Sequence, residues 1–298
     1  MNKTFLSKMR TVVYSNGLTS PQIQFGTFRI KTSEDVETSI SEALNTGYRA
    51  IDTASVYKNH AKIAKTLREC LPKLGLTRSD IWLTSKLAPK DHGEKRCEEA
   101  IGNILRDLDT DYLDLLLIHW PGVQRLEVTD PQNRILRQES WRVLERFYRD
   151  GKLRSIGVSN YTQRHLEELL DHCEVAPHVL QTELHPHYQQ TELVKFCRLH
   201  NIHVQAYSSL GQAGPESPLF RSEAVVSTSD ELGLTPAQVL LTWGIQSGYT
   251  VMPKSVTPSR IRENFQLGTK LSKDVMKRLN ELEKEVSEKY AWDPVNVV

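Results

Sequence analysis

The sequence predicts a (β/α)8 barrel, and three observations carry that prediction. Apolar runs of strand length alternate with polar-faced helical stretches along the chain. Eight such strand–helix units can be counted, and eight is the number that closes a barrel of parallel strands. An open doubly wound sheet would want a glycine-rich first turn, and the chain contains no GxGxxG.

Taken in order, the chain first offers TVVYSNGLTSPQIQ, in which Asn16-Gly17 is a turn signal between β-prone runs. It reads as a hairpin that plugs the bottom of the barrel. The strand-like runs follow: QIQFGTF from Gln22, YRAIDTA from Tyr48, IWLTSKL from Ile81 and YLDLLLIHW from Tyr112. LRSIGVSN from Leu153, HVLQTELHP from His178, IHVQAYSSLG from Ile202 and TVMPKS from Thr250 complete the set. Val, Ile and Leu fall on both parities, as in strands covered on both faces. Helix-period segments lie between them, among them SEDVETSISEALNTG, EKRCEEAIGNILRDL, ESWRVLERFYRDG and TQRHLEELLDHC. Several open on Ser, Thr or Asp and close on Gly, as caps require. After Ser272, DVMKRLNELEKEVSEKY predicts an extra amphipathic helix, followed by a short tail from Tyr290.

Composition narrows the function classes. The 298 residues are 39% hydrophobic and 25% charged, with a mean hydropathy of −0.45, as expected of a soluble globular chain. No linker or low-complexity tract divides them, so residues 1–298 read as one domain. Lys and Arg number 38 against 37 Asp and Glu, which leaves no global field for nucleic acid or an anionic membrane. The most apolar short run, Leu115 to Ile118, is far below the ~20 residues of a membrane span. MNKTFLSKMR lacks the apolar stretch of a signal peptide. Cys70, Cys97, Cys173 and Cys197 are scattered without a CxxC pair, and read as reduced thiols in the cytoplasm. Nothing points to an obligate interface, so a monomer is expected.

In such a barrel, chemistry sits at the C-terminal ends of the strands. Asp52 ends the second run, with Tyr57 five positions on; Lys86 ends the third and His119 the fourth. Singly, each has a structural explanation: a turn cap, a solvated amine, a core histidine. Together, an acid, a phenol, an amine and an imidazole converge on one rim from three neighbouring strands. The blocks that hold these residues resemble the aldo-keto reductase family, which implies hydride delivery to a carbonyl carbon; charge then builds on oxygen, which must receive a proton. Tyr57 is a poor donor near neutrality unless a cation favours its phenolate, which Lys86 can do while Asp52 holds the ammonium in place. A neutral His119 would orient the carbonyl oxygen, completing an oxyanion site with Tyr57. Trp120 would wall the pocket.

These blocks resemble the aldo-keto reductase family in the family's own order. GYRAIDTA with Tyr57, LTSKL, LLLIHWP, IGVSN, ELHPHY, AYSSLG and VMPKSVTPSRIRENF carry the resemblance from Thr11 to about Trp292. It implies a (β/α)8 barrel, NADPH bound without a Rossmann fold, and reduction of carbonyls to alcohols. Asp52, Tyr57, Lys86 and His119 are then the catalytic tetrad. By the same resemblance Ser159, Asn160 and Gln181 bind the carboxamide, and Tyr207 stacks on the nicotinamide. Ser208, Leu210 and Gln212 meet the pyrophosphate, while Gly26, Thr27 and Asp52 line the cofactor site. In KSVTPSRIREN, Thr257 suits an N-cap and Pro258 a first helical turn. A helix N-terminus flanked by Lys254 and Arg260, with Ser255, Val256 and Thr257 around it, suits a 2′-phosphate and hence NADPH. Glu263 and Asn264, one turn along, are placed for adenine.

Two departures from the family's pattern stand out. Asn59-His60 replaces a frequent Asn-Glu, which puts a contact on the far side of the cofactor in doubt. Ser209 stands where the family usually has Pro and is expected to loosen that loop slightly. His185, Pro186 and His187, with His200 and His203, look superficially like metal ligands but lack a supporting carboxylate or cysteine set, so no metal is expected. The expected partner is a small carbonyl substrate, with specificity set by Pro121–Gln138, Gly211–Leu234 and the tail. The competing function is an NADPH-binding accessory barrel with little turnover; an isomerase or aldolase would leave the KSVTPSRIREN cluster without a task.

Overall fold

The computed structural model describes residues 10–211 and 217–298. Strands β1 (Thr11–Val13) and β2 (Thr19–Pro21) form the antiparallel hairpin expected around Asn16-Gly17. Then strand and helix alternate: β3 (Phe25–Gly26), α1 (Ser33–Thr46), β4 (Ala50–Asp52), α2 (His60–Cys70), β5 (Trp82–Leu87), α3 (Glu94–Asp107) and β6 (Leu115–Ile118). The pattern continues with α4 (Gln132–Arg149), β7 (Ile156–Ser159), α5 (Gln163–Leu170), β8 (Val179–Glu183), α6 (Thr191–Leu199) and β9 (His203–Tyr207). After β9 come α7 (Pro218–Arg221), α8 (Glu223–Leu232), α9 (Pro236–Gln246), β10 (Thr250–Val251), α10 (Pro258–Phe265) and α11 (Lys273–Glu285).

Strands β3 to β10 pair in parallel, each with its sequence neighbour. The sheet closes on itself where Ile23 bridges Val251, Gln24 N–H donates to Val251 O (2.9 Å) and Gly26 N–H to Pro253 O (3.1 Å). A Cβ on Gly26 would lie 2.8 Å from Met252 O, so this seam requires glycine.

Side chains fill the interior in layers. The hairpin seals the bottom: Tyr14 packs with Ala50, Trp82, Leu115, Leu117 and Val179. Its ring stacks on His203 at 5.3 Å, and its hydroxyl accepts from Gln205 Nε2 at 3.0 Å. Above this apolar layer lies a polar one. Along β8 the period of two sends Val179, Gln181 and Glu183 inward at successive heights, from plug to mouth.

Caps fix most helix boundaries. Thr32, Thr162, Thr235 and Ser272 each accept a first-turn backbone N–H, and Gly47 closes α1 at φ 121°. Three segments differ from expectation. Helix α4 begins at Gln132, well before Glu139, because Asp130 Oδ1 accepts Gln132 N–H and Pro131 opens the turn. Helix α11 stops at Glu285, short of Tyr290, because Lys289, Tyr290 and Ala291 bind Glu183 in the barrel instead. The span Gly211–Leu234 carries two helices, α7 and α8, with Pro218 opening the first. Among the described residues no helix is long and apolar enough to cross a membrane.

Candidate active site

The barrel brings Asp52, Lys86, Tyr57 and His119 together. Asp52 ends β4 and Lys86 lies near the end of β5; both are buried. Lys86 Nζ donates to Asp52 Oδ1 at 2.6 Å and to Thr53 O at 3.0 Å. Tyr57 closes a single 3₁₀ turn, Ser55–Tyr57, which is pinned by Ser55 Oγ donating to Lys86 O (2.8 Å). The phenol oxygen thereby stands 3.5 Å from Lys86 Nζ. His119 directly follows β6, its N–H bonded to Leu87 O, and its ring meets Tyr57 edge-on at 5.8 Å. A phenol and an imidazole therefore face one space above a buried ion pair.

Electrostatics bears on three of these groups. Burial pushes the Lys86 ammonium down, and Asp52 opposes that shift. Burial, reinforced by the Asp52 charge, pushes Tyr57 well above 10, so its hydroxyl holds a proton at neutral pH. Burial, with Lys86 adding to it, lowers His119 to about 3, so its imidazole is neutral. Its Nδ1 is buried with no hydrogen-bond partner among the described residues. An unpaired lone pair there costs less than an unpaired N–H, which favours the tautomer with the proton on Nε2. Asp52 Oδ2 accepts from Gln181 Nε2 (2.9 Å), which also donates to Gln205 Oε1 (3.0 Å).

The residues expected to bind a carboxamide are connected to this centre. Asn160, at φ 61°, donates from Nδ2 to His119 O (2.9 Å) and to Ser159 Oγ (3.1 Å), and accepts from the Tyr207 hydroxyl at 2.6 Å. Thr27 Oγ1 donates to Asp52 O, which ties the end of β3 to the same group. Ser208 adopts φ 50° and its carbonyl accepts Gly211 N–H at 2.7 Å, while Leu210 is half-buried. At Ser209, where a slightly looser loop was expected, the hydroxyl donates to Ala206 O (2.9 Å), a bond proline could not make. Gln212 lies outside the described residues.

The expected phosphate end is built as a separate group. Pro258 opens α10 and Thr257 is its N-cap, but among the described residues no side chain caps the helix. Ser255 Oγ accepts Thr257 N–H at 3.0 Å, and Lys254, Val256, Thr257 and Arg260 are exposed around that end. Asn264 is buried, and Glu263 accepts from Thr235 Oγ1 at 2.7 Å, so one of its oxygens is engaged inside the protein. His60 sits behind the sheet. It bonds Ser85, whose side chain lies on the face of β5 opposite to Lys86, and burial lowers it to about 4. The neighbouring Asn59 holds Thr53 Oγ1 and the carbonyls of Thr27 and Ile30.

At the mouth, Trp120 is half-buried and meets Trp292 edge-on at 6.3 Å, while Trp292 itself is 84% exposed. Sequence reasoning passed over Phe28, whose ring lies 5.1 Å from that of Tyr57 at the lip. It also missed Gln205, which supports Gln181, and Glu183, which holds the tail. A lone Phe, Gln or Glu in a strand-end run carries no signal of its own.

The buried histidines set a pH dependence. Burial lowers His60, His92, His165, His187 and His203 to about 4, His119 to about 3, and His178 below its ordinary value. In the unfolded chain each titrates near ~6.5. Between these values the unfolded state binds more protons, so stability is full above ~6.5 and falls as pH drops towards 4. Urea midpoints measured at pH 7, 6 and 5 should decline in that order; a flat or rising series would contradict the neutral, buried assignment.

The chain is similar to known proteins over most of its length. Residues 22–284 match the Aldo/keto reductase family. The chain is 36% identical to a glyoxal reductase of Bacillus subtilis, covering 92% of this chain and 93% of that protein. It is 36% identical to a methylglyoxal reductase of Escherichia coli, covering 90% and 91%. Among solved structures, the aldose reductase of Schistosoma japonicum superposes with a TM-score of 0.86 at 33% identity, covering 97% of this chain and 96% of that one. The chain belongs to the aldo/keto reductase family.

Proposed function

We propose that this protein reduces aldehydes and ketones to alcohols, with NADPH as hydride donor and Tyr57 as proton donor. The observation that carries the proposal is the protonated phenol of Tyr57, 3.5 Å from an ammonium locked to Asp52 and facing the neutral ring of His119. His119 and Tyr57 hydrogen-bond the carbonyl oxygen and hold it in place. When bound, the nicotinamide supplies the hydride. As charge develops on oxygen, Tyr57 gives up its proton and Lys86 stabilises the phenolate left behind. Asp52 and Thr53 O keep that ammonium fixed, so no reorganisation is needed at the moment of transfer.

The residues present fit the cofactor. Ser159, Asn160 and Gln181 offer a hydroxyl and two amides beside the tetrad, and Tyr207 offers a half-buried ring. Ser208 and Leu210, in a tight turn closed by Gly211 N–H on Ser208 O, would meet the pyrophosphate through backbone N–H groups, with Gly26, Thr27 and Gln212 assigned to the same site. The uncapped start of α10 leaves first-turn N–H groups for an anion, and Lys254 and Arg260 add charge there. That chemistry supports a 2′-phosphate on Ser255, Val256 and Thr257, with Glu263 and Asn264 next to adenine.

Trp120 and Trp292 wall a mouth that the tail covers only in part, which supports broad reduction of small reactive carbonyls. Names among the relatives, a glyoxal and a methylglyoxal reductase, point the same way. All four cysteines are free thiols, which supports a cytoplasmic setting. No observation favours an accessory barrel without turnover.

Tyr57→Phe should slow single-turnover reduction of methylglyoxal by roughly 10²–10⁴-fold. NADPH affinity should hardly change, because the lost O–H acts in the transition state. Wild-type turnover in that variant would remove Tyr57 as the donor. Across a carbonyl panel, wild-type kcat/KM values should lie within about two orders of magnitude; one bulky ketone far above the rest would contradict the open mouth.

Arg260→Ala tests cofactor choice. It should weaken NADPH by roughly ten- to a hundredfold, the worth of one charge-assisted contact, and leave NADH almost unchanged. Equal losses in fluorescence titrations of the two would mean that Arg260 does not read the phosphate.

A further inference from the structure

Glu183 takes no part in the proposed reaction, yet it is a fully buried acid in the barrel. It ends β8, faces inward above Gln181, pairs in register with Tyr207 and is 0% exposed. An ionised carboxylate in that position needs partners for its lone pairs. His185 Nε2, at 3.0 Å, is the partner from the barrel itself. The others come from the C-terminal tail, more than a hundred residues away in sequence. Lys289 Nζ donates at 2.8 Å, Tyr290 N–H at 2.5 Å and Ala291 N–H at 2.8 Å.

This latch fixes the side chain of Tyr290. Its hydroxyl meets His187 Nδ1 at 2.9 Å, and its ring lies 4.8 Å from that of His185. The same ring packs on Gly211: a Cβ added there would come within 3.1 Å of it. Gly211, at φ 67°, closes the Ser208–Gly211 turn. The far end of the tail is tied elsewhere. Val297 O accepts from His165 Nε2 (2.8 Å) and Arg164, and Val298 N–H donates to Val128 O. The Glu183 latch therefore holds the proximal tail, where it touches the turn.

We infer that Glu183 is a positioning residue: it latches the tail to the top of the barrel and, through the Tyr290 ring, braces the Ser208–Gly211 turn, so that tail docking and cofactor retention are coupled. The last step rests on the proposed role of that turn in binding NADPH. The bracing itself does not.

The test is amide hydrogen exchange on the full chain, with stopped-flow NADPH release as a second readout. In Glu183→Gln, exchange should speed up at Tyr290, at Ala291 and across residues 208–211. NADPH release should accelerate by roughly tenfold, the scale of one lost charge-assisted hydrogen bond. Tyr290→Ala should loosen residues 208–211 and speed release while Ala291 stays protected, because the backbone latch survives. If Glu183→Gln does not fold, Lys289→Ala removes one arm of the latch and should give the same pattern at lower amplitude. Unchanged tail exchange in the variants that weaken the latch would overturn it. A loosened tail with residues 208–211 and NADPH release both unchanged would overturn the coupling. A protein that binds no NADPH would refute the proposed function, while the exchange pattern would still decide the latch and the brace.

Discussion

The structure depends on one buried ion pair, Lys86 with Asp52, 2.6 Å apart in the polar layer of the barrel. Removing two charges from water costs several kcal/mol per ion, and attraction offsets that cost only where the geometry is good and the remaining polar atoms are bonded. Here they are bonded. Thr53 O takes a second ammonium proton, Gln181 Nε2 satisfies the other carboxylate oxygen, and Gln205 supports Gln181. The phenol of Tyr57 joins this cluster to the mouth. A pair that would be a poor source of stability is a good way to fix a cation beside the proposed proton donor.

That pair can exist only because the layers below and around it are closed. Tyr14 and the hairpin exclude water from beneath, and the glycine seam at Gly26 lets β3 meet β10. Gln205 links the two levels, since its amide holds Gln181 from one end and the Tyr14 hydroxyl from the other. The plug is thus hydrogen-bonded to the site through two glutamines, and packing at the bottom is continuous with electrostatics at the top.

Much of this was legible in the sequence. The strand count and the polar residues that interrupt strand ends located Asp52, Lys86 and His119, and the short turn after β4 located Tyr57. What was not legible has a common cause: a partner remote in sequence. Glu183 reads as an ordinary strand-end acid until Lys289 and Tyr290 arrive 106 and 107 residues later. Their arrival also ends α11 early, against a periodicity that runs on. The early start of α4 was readable in Asp130-Pro131, a cap followed by a proline. The direction His60 faces was not, because Asn59-His60 marks a departure without saying which side of the sheet it lies on.

The most direct test of the central pair is single-turnover hydride transfer in Lys86→Met, measured on protein that still binds NADPH. If the ammonium stabilises the Tyr57 phenolate as it forms, hydride transfer should slow by roughly 10²-fold or more while cofactor affinity is retained. Transfer at close to the wild-type rate, with NADPH bound as tightly as before, would contradict the account.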